Sequence, residues 1–149
     1  MKKLIFILAL CGTMFLCSCK SGGGSAAENS VNFTVAKNYF FKNGAVIPEN
    51  PKISSADEFQ NLFGMAAVMG KDGMPTAIDF NKQFVVAVVL PVTDIYTEIQ
   101  PVEVKVLGGE LVYAYNVKTG EKMTYSMQPV SLIVLDREYE GLNVKMVEK

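Results

Sequence analysis

Phe84-Val85-Val86-Ala87-Val88-Val89-Leu90 is an unbroken apolar run in a chain of 149 residues, and it is the stretch on which the fold turns. A strand with one wet face alternates apolar and polar residues. A run with no polar position is expected of a strand buried on both faces. β-Branched valines dominate it, which suits a pleated surface better than a helix, so this segment should form the centre of the fold. Upstream, the two-residue period begins at Ile78.

Downstream, Val102, Val104 and Val106 alternate with Glu103 and Lys105, and Leu107-Gly108-Gly109-Glu110 offers a turn into Leu111, Tyr113, Tyr115 and Val117. Two alternating runs joined by a glycine pair make the strongest hairpin signal in the chain. Lys118-Thr119-Gly120-Glu121 repeats the device and predicts a second turn, leading to Met123, Tyr125 and Met127 on one parity. Residues 131–135 predict another short apolar strand. Tyr139-Glu140-Gly141 predicts a last turn before a strand carrying Leu142, Val144 and Met146.

Upstream, residues 31–41 read as a strand rich in aromatic and β-branched residues, with Phe33, Val35, Tyr39 and Phe41 on one parity. Lys42-Asn43-Gly44 then predicts a hairpin into Ala45-Val46-Ile47, before Pro48 and Pro51 interrupt pairing. Ser55-Ala56-Asp57-Glu58 has the form of a capping box and predicts a helix start. Phe59, Leu62, Phe63, Ala66 and Ala67 follow at helical spacing, and Gly64 predicts a kink or an end short of Met69. Gly70 to Pro75 reads as a breaker and loop. Together these elements predict a mostly β, α+β domain: an antiparallel β-sandwich-like body over residues 31–149 with one early helix.

The N-terminus carries an address. Lys2 and Lys3 precede a largely apolar stretch over residues 4–16, then Leu16-Cys17-Ser18-Cys19. The apolar run is short of the about 20 residues a transmembrane helix needs, and its order is that of a secretory signal. The motif resembles the bacterial lipobox. That resemblance implies a signal peptide over residues 1–18 and lipidation (palmitate) at Cys19, anchoring the protein to the membrane. Lys20 in place of an aspartate resembles outer-membrane sorting, which locates the protein in the bacterial cell envelope. Residues 19–30 are rich in Gly, Ser and Ala and predict a flexible tether. With Cys11 and Cys17 removed, the exported body holds no cysteine besides the lipidated one, so it must be stable without a disulfide.

Composition limits the chemistry. With 14 Lys+Arg against 15 Asp+Glu the formal net charge is -1, which sets up no field to attract nucleic acid. The chain has no histidine, removing the usual general base near neutral pH and the commonest transition-metal ligand. Thiolate zinc sites and cysteine nucleophiles fall with the missing cysteines. No Ser-x-x-Lys signature, calcium-loop series or arginine clamp is present, so no cofactor or metal is expected and the domain is read as not an enzyme. Asp57 with Glu58, or Asp79 with Asp94, could supply an acid and a base, but capping and turn positions account for these residues.

Surface recognition remains. Pro91-Val92-Thr93-Asp94-Ile95-Tyr96-Thr97-Glu98 reads as a loop between strands, and Asp94, Ile95 and Tyr96 are the candidate partner-binding residues, the alternative being a loop whose Ile95 and Tyr96 fold back over the core or a further short strand. Tyr113, Tyr115 and Tyr125 form a second candidate cluster, whose spacing also fits cross-strand packing.

Residues 53–59 (Ile-Ser-Ser-Ala-Asp-Glu-Phe), Ile78-Asp79-Phe80 leading into the central run, and Gln128-Pro129-Val130-Ser131-Leu132-Ile133-Val134-Leu135 resemble the C-terminal domain of protease-complex-associated lipoproteins of the PrcB type. The likeness covers most of the body from Ile53, and departs from the family at residues 93–97, where Thr-Asp-Ile-Tyr-Thr stands in place of a Gly-Gly-Tyr element. It implies an accessory or regulatory module with a protein partner and carries no catalytic residue. The function expected is therefore a lipid-anchored envelope accessory protein that binds another envelope protein, a protease being the class the likeness implies. The alternative is a module for a glycan or small envelope ligand that uses tyrosine faces.

Overall fold

The computed structural model describes residues 29–70 and 72–149; Cys19, the expected signal peptide and most of the expected tether lie outside the described residues. The central run forms β6 (Gln83–Val89), and its neighbour is β9 (Val130–Asp136), antiparallel in continuous register from Gln83 opposite Asp136 to Val89 opposite Val130. β2 (Thr34–Ala36) and β4 (Lys52–Ile53) complete this sheet in the order β2-β9-β6-β4.

Alternate residues of β6 enter two different cores. Phe84, Val86 and Val88 pack with Ile133 and Leu135 of β9 against a second sheet, whereas Val85 and Ala87 join Leu132 and Val134 in a cluster with Phe41, Phe59 and Phe63. The strand has no polar position because it lies in the middle of three layers. Each large side chain so buried contributes roughly 1.5–3 kcal/mol, which concentrates the stability in this strand pair.

The second sheet contains β1 (Asn29–Ser30), β7 (Thr93–Leu107), β8 (Glu110–Met127) and β10 (Asn143–Glu148), in the order β1-β7-β8-β10. Asn29 and Ser30, at the end of the Gly/Ser/Ala stretch, pair with Val106 and Lys105. β7 and β8 join through Gly108 and Gly109, both at positive φ (60° and 83°), the two-residue turn that matches strand twist. β10 returns parallel to β8, a pairing that departs from the all-antiparallel expectation. A 3-10 turn over Arg137–Tyr139 carries the chain from β9 towards it.

The third layer is α1 (Ala56–Leu62) with β3 (Tyr39–Phe41), paired antiparallel to β5 (Phe63–Met65). The Ser55 hydroxyl accepts the Glu58 amide at 3.2 Å, and the Glu58 carboxylate accepts the Ser54 amide at 3.3 Å, so the expected cap forms one residue broader than the ideal box. The helix ends at Leu62 because Phe63 turns extended to pair with Phe41. Ala66 and Ala67 therefore leave the helical stripe.

Three further expectations are corrected. Residues 31–41 do not form one strand: Asn38 takes φ 63° and separates β2 from β3. Gly44 does turn, at φ 82°, but residues 45–47 form no strand, and β3 pairs with β5 instead. Gly120 is not a turn, since β8 continues through it as strand, with a register shift against β7 between Thr119 and Lys122. Residues 93–98 are strand, the alternative to a loop there.

Candidate functional site

The three residues expected to bind a partner are consecutive on β7, so they cannot share a face. Asp94 pairs with Lys122 across the ribbon at 3.0 Å. Ile95 is half-buried, with its amide held by the Thr93 hydroxyl at 3.0 Å. Tyr96 is 48% exposed, and its ring lies over Gly120, where a Cβ would stand 3.1 Å from Tyr96 Cδ1. Gly120 thus serves to seat an aromatic ring rather than to turn the chain.

The same device recurs in the third layer. Phe40, 48% exposed, stands opposite Gly64 in the β3–β5 pair, and a Cβ at Gly64 would overlap the Cζ end of the Phe40 ring. Both seated rings line one groove of about 520 Å³. Three consecutive residues of β3 (Tyr39, Phe40, Phe41) and four of β7 (Tyr96, Thr97, Glu98, Ile99) border it, with residues 127–130 beside them. Because successive side chains point to opposite faces, a groove bordered by consecutive residues runs along strand edges rather than over a sheet face. Among the described residues, Glu98 is the only charged one in that lining.

Phe40 was hidden in the sequence because its neighbours Tyr39 and Phe41 supply the inward parity. Its signal is an aromatic on the outward parity, and its partner glycine sits 24 residues away, beyond reach of a local pattern.

A second cleft, of about 390 Å³, lies between α1 and residues 74–80 over Tyr39, Phe59, Phe63 and Phe80. Its outer wall is pinned to β3. Asn38 Nδ2 donates to the carbonyls of Asp72 (2.8 Å) and Met74 (2.9 Å), and the Tyr39 hydroxyl donates to the Thr76 carbonyl (2.7 Å). Burial pushes the Tyr39 phenol above its ordinary pKa. Among the described residues its lining holds no charged one.

The tyrosine cluster divides. Tyr113 and Tyr115 pack inside the sandwich with ring centroids 5.6 Å apart, while Tyr125 is 64% exposed on the outer part of β8. Of the carboxylates, Asp79 accepts the Asn81 amide at 3.0 Å and Asp94 is engaged with Lys122, each within its own turn or strand pair. Among the described residues no group of three or more acidic, cysteine or histidine residues is placed to hold a metal ion, and no helix is long and apolar enough to cross a membrane. The chain matches no family model, no curated protein and no solved structure.

Proposed function

We propose that this chain is a lipid-anchored accessory domain of the bacterial cell envelope, held at the outer membrane through Cys19, and that it binds another envelope protein at the groove between β3 and β7. The observation that carries the reading is the pair of half-exposed rings, Phe40 and Tyr96, each preset against a glycine of its partner strand and both facing one groove. Rigid aromatic anchors of this kind lose little conformational entropy on binding and dominate protein interfaces. The likeness to protease-complex-associated lipoproteins makes an envelope protease the first partner to test.

Photo-crosslinking in native envelopes from probes at positions 40 and 96, with Lys145 on β10 as the control position, tests the groove. Capture of the same protein from 40 and 96 but not from 145 supports the reading. Capture of glycan alone, or equal capture from all three positions, refutes it. Cys19→Ala should release the protein from the membrane fraction, and retention there after signal processing would overturn the anchor.

A further inference from the structure

We propose that the partner is bound by strand addition: an extended segment of another protein pairs with the open edge of β7 at residues 96–100 and places a lysine or arginine against Glu98. This rests on the protein-binding reading above and specifies how it works.

The edge is open for a topological reason. β1 pairs with β7 only at Lys105 and Val106, the Val31 amide adds one bond to the Val104 carbonyl at 2.8 Å, and the chain then leaves for β2. Among the described residues no strand pairs with that side of β7 below Val104. On the other side, β8 holds β7 in unbroken register from Thr97 opposite Thr119 to Pro101 opposite Tyr115, so the open edge is straight over this run. Pro101 has no amide to offer, and a register shift follows it, which fixes the end of the usable edge.

An open, regular edge is a template for another chain, and proteins ordinarily blunt such edges with charge, proline or bulges. The outer edge of β8 carries those devices. Lys118 and Lys122 lie on it, and two steps along β7 (Thr93 to Ile95) are matched by five along β8 (Met127 to Lys122). β7 has no comparable guard between Tyr96 and Gln100 except the single charge of Glu98. Leaving one edge regular beside a built groove, while the opposite edge is distorted, marks the regular one as the edge that takes a partner.

The groove also selects the occupant. β3 stands as a wall along the open edge, so a single extended chain can enter where the edge of a second sheet would meet Phe40. Main-chain bonds to β7 would supply affinity, and side chains at alternate positions would supply choice. The described lining is mostly apolar and aromatic, with Asn43, Thr97 and Gln128 as neutral polar members and Glu98 as its one charge, which calls for a basic residue with apolar neighbours two positions away on either side. No ion pair within the described residues engages Glu98, although Lys118 is its ladder partner.

The test is selection of a displayed library of random 12-residue peptides on the full lipidated chain in detergent micelles. The expected winners carry Lys or Arg flanked by apolar residues at alternate positions, and the best of them protects the amides of residues 96–100 from hydrogen exchange. Methylating its backbone nitrogens one at a time should weaken binding about fivefold to tenfold at every second position, the signature of a ladder. Selection on Glu98→Lys should turn the preference to acidic peptides. Glu98→Gln, with an unchanged urea midpoint, should keep the alternation and lose the basic preference.

Winners without alternation, N-methyl effects without a two-residue period, or protection elsewhere would overturn the proposal. A concentration-dependent dimer protected at 96–100 would assign the edge to a second copy and also overturn it. If peptides fail while positions 40 and 96 still crosslink one envelope protein, strand addition falls and the protein-binding reading stands; if both fail, both fall.

Discussion

Replacing Tyr113 by phenylalanine should stabilise this protein, contrary to the usual effect of trimming a core residue. Tyr113 has no exposed surface, and its hydroxyl finds no hydrogen-bond partner among the described residues. An unsatisfied buried hydroxyl costs roughly 1–3 kcal/mol in proteins. Removing it leaves the ring in place and opens only an oxygen-sized gap, so a net gain of about 1 kcal/mol is expected at pH 7. Burial pushes the phenol up to about 12, with the Ser131 hydroxyl, a polar neighbour that does not reach hydrogen-bond geometry, offsetting part of the rise and the neighbouring Tyr115 adding to it. The phenol of the unfolded chain ionises near pH 10, so stability is intact below that pH. Between about 10 and 12 the unfolded state binds fewer protons than the native one, and stability falls by about 1.4 kcal/mol per unit, some 3 kcal/mol in all. Tyr113→Phe removes this loss. Tyr39, Tyr115 and Tyr139 are also raised and remain in both proteins, so the difference between the two titrations isolates Tyr113. Urea unfolding of both chains at pH 7 and in steps to pH 11 reads both effects, a gain of about 1 kcal/mol moving the midpoint by roughly 0.3–1 M. A variant less stable by 1 kcal/mol at pH 7 would show that the hydroxyl is bonded, to Ser131 in the first instance, and would refute the reasoning. So would an unchanged alkaline limb.

Ser55→Ala should cost about 1 kcal/mol in urea unfolding, through loss of the cap on the Glu58 amide. Asn38→Gly should keep the φ of 63° and lose the bonds to Asp72 and Met74, whereas Asn38→Ala loses both, so the alanine variant should be the less stable by about 1 kcal/mol. Gly64→Ala should change global stability by less than about 1 kcal/mol, because the clashing atom is the far end of the Phe40 ring and alanine stiffens the unfolded chain. The same variant should abolish crosslinking from position 40, and full retention would show that the seat of that ring is immaterial.

What the sequence disclosed was local or saturated with apolar residues. The run at 84–90, the Ser55 cap and the Gly108-Gly109 turn each encode their conformation within a few residues, and each forms as expected. The misreadings came where one residue type serves two physical ends. Gly44 and Gly120 look alike as turn signals, yet one sits at φ 82° in a real turn and the other gives up its side chain to seat Tyr96. Pairing of β3 with β5 around α1, and the parallel return of β10, depend on contacts between distant segments that no window of sequence contains. The candidate site suffered most. Tyr96 was legible as an unusual aromatic, but its partner ring, Phe40, becomes visible only once the third layer is folded onto β6 and β9.

The β7–β8 ribbon separates what the fold requires from what a partner would use. Strands of 15 and 18 residues are about three times the usual length. Core packing accounts for them only in part: Ile99, Val104, Leu111, Tyr113 and Tyr115 are buried in the sandwich and Val117 lies against it, whereas residues 118–122 are exposed. A two-stranded ribbon without a covering face is marginal by itself, so its outer part, where the register shifts twice, stays paired through the inner part rather than through packing of its own. Along β7 the division is sharpest: Thr97 and Ile99 are buried and hold the strand to the body, while Tyr96 and Glu98 point out from the same four residues. Substituting the first pair should therefore cost stability, and substituting the second pair should cost recognition. That division allows the function of this edge to be tested without unfolding the domain that presents it.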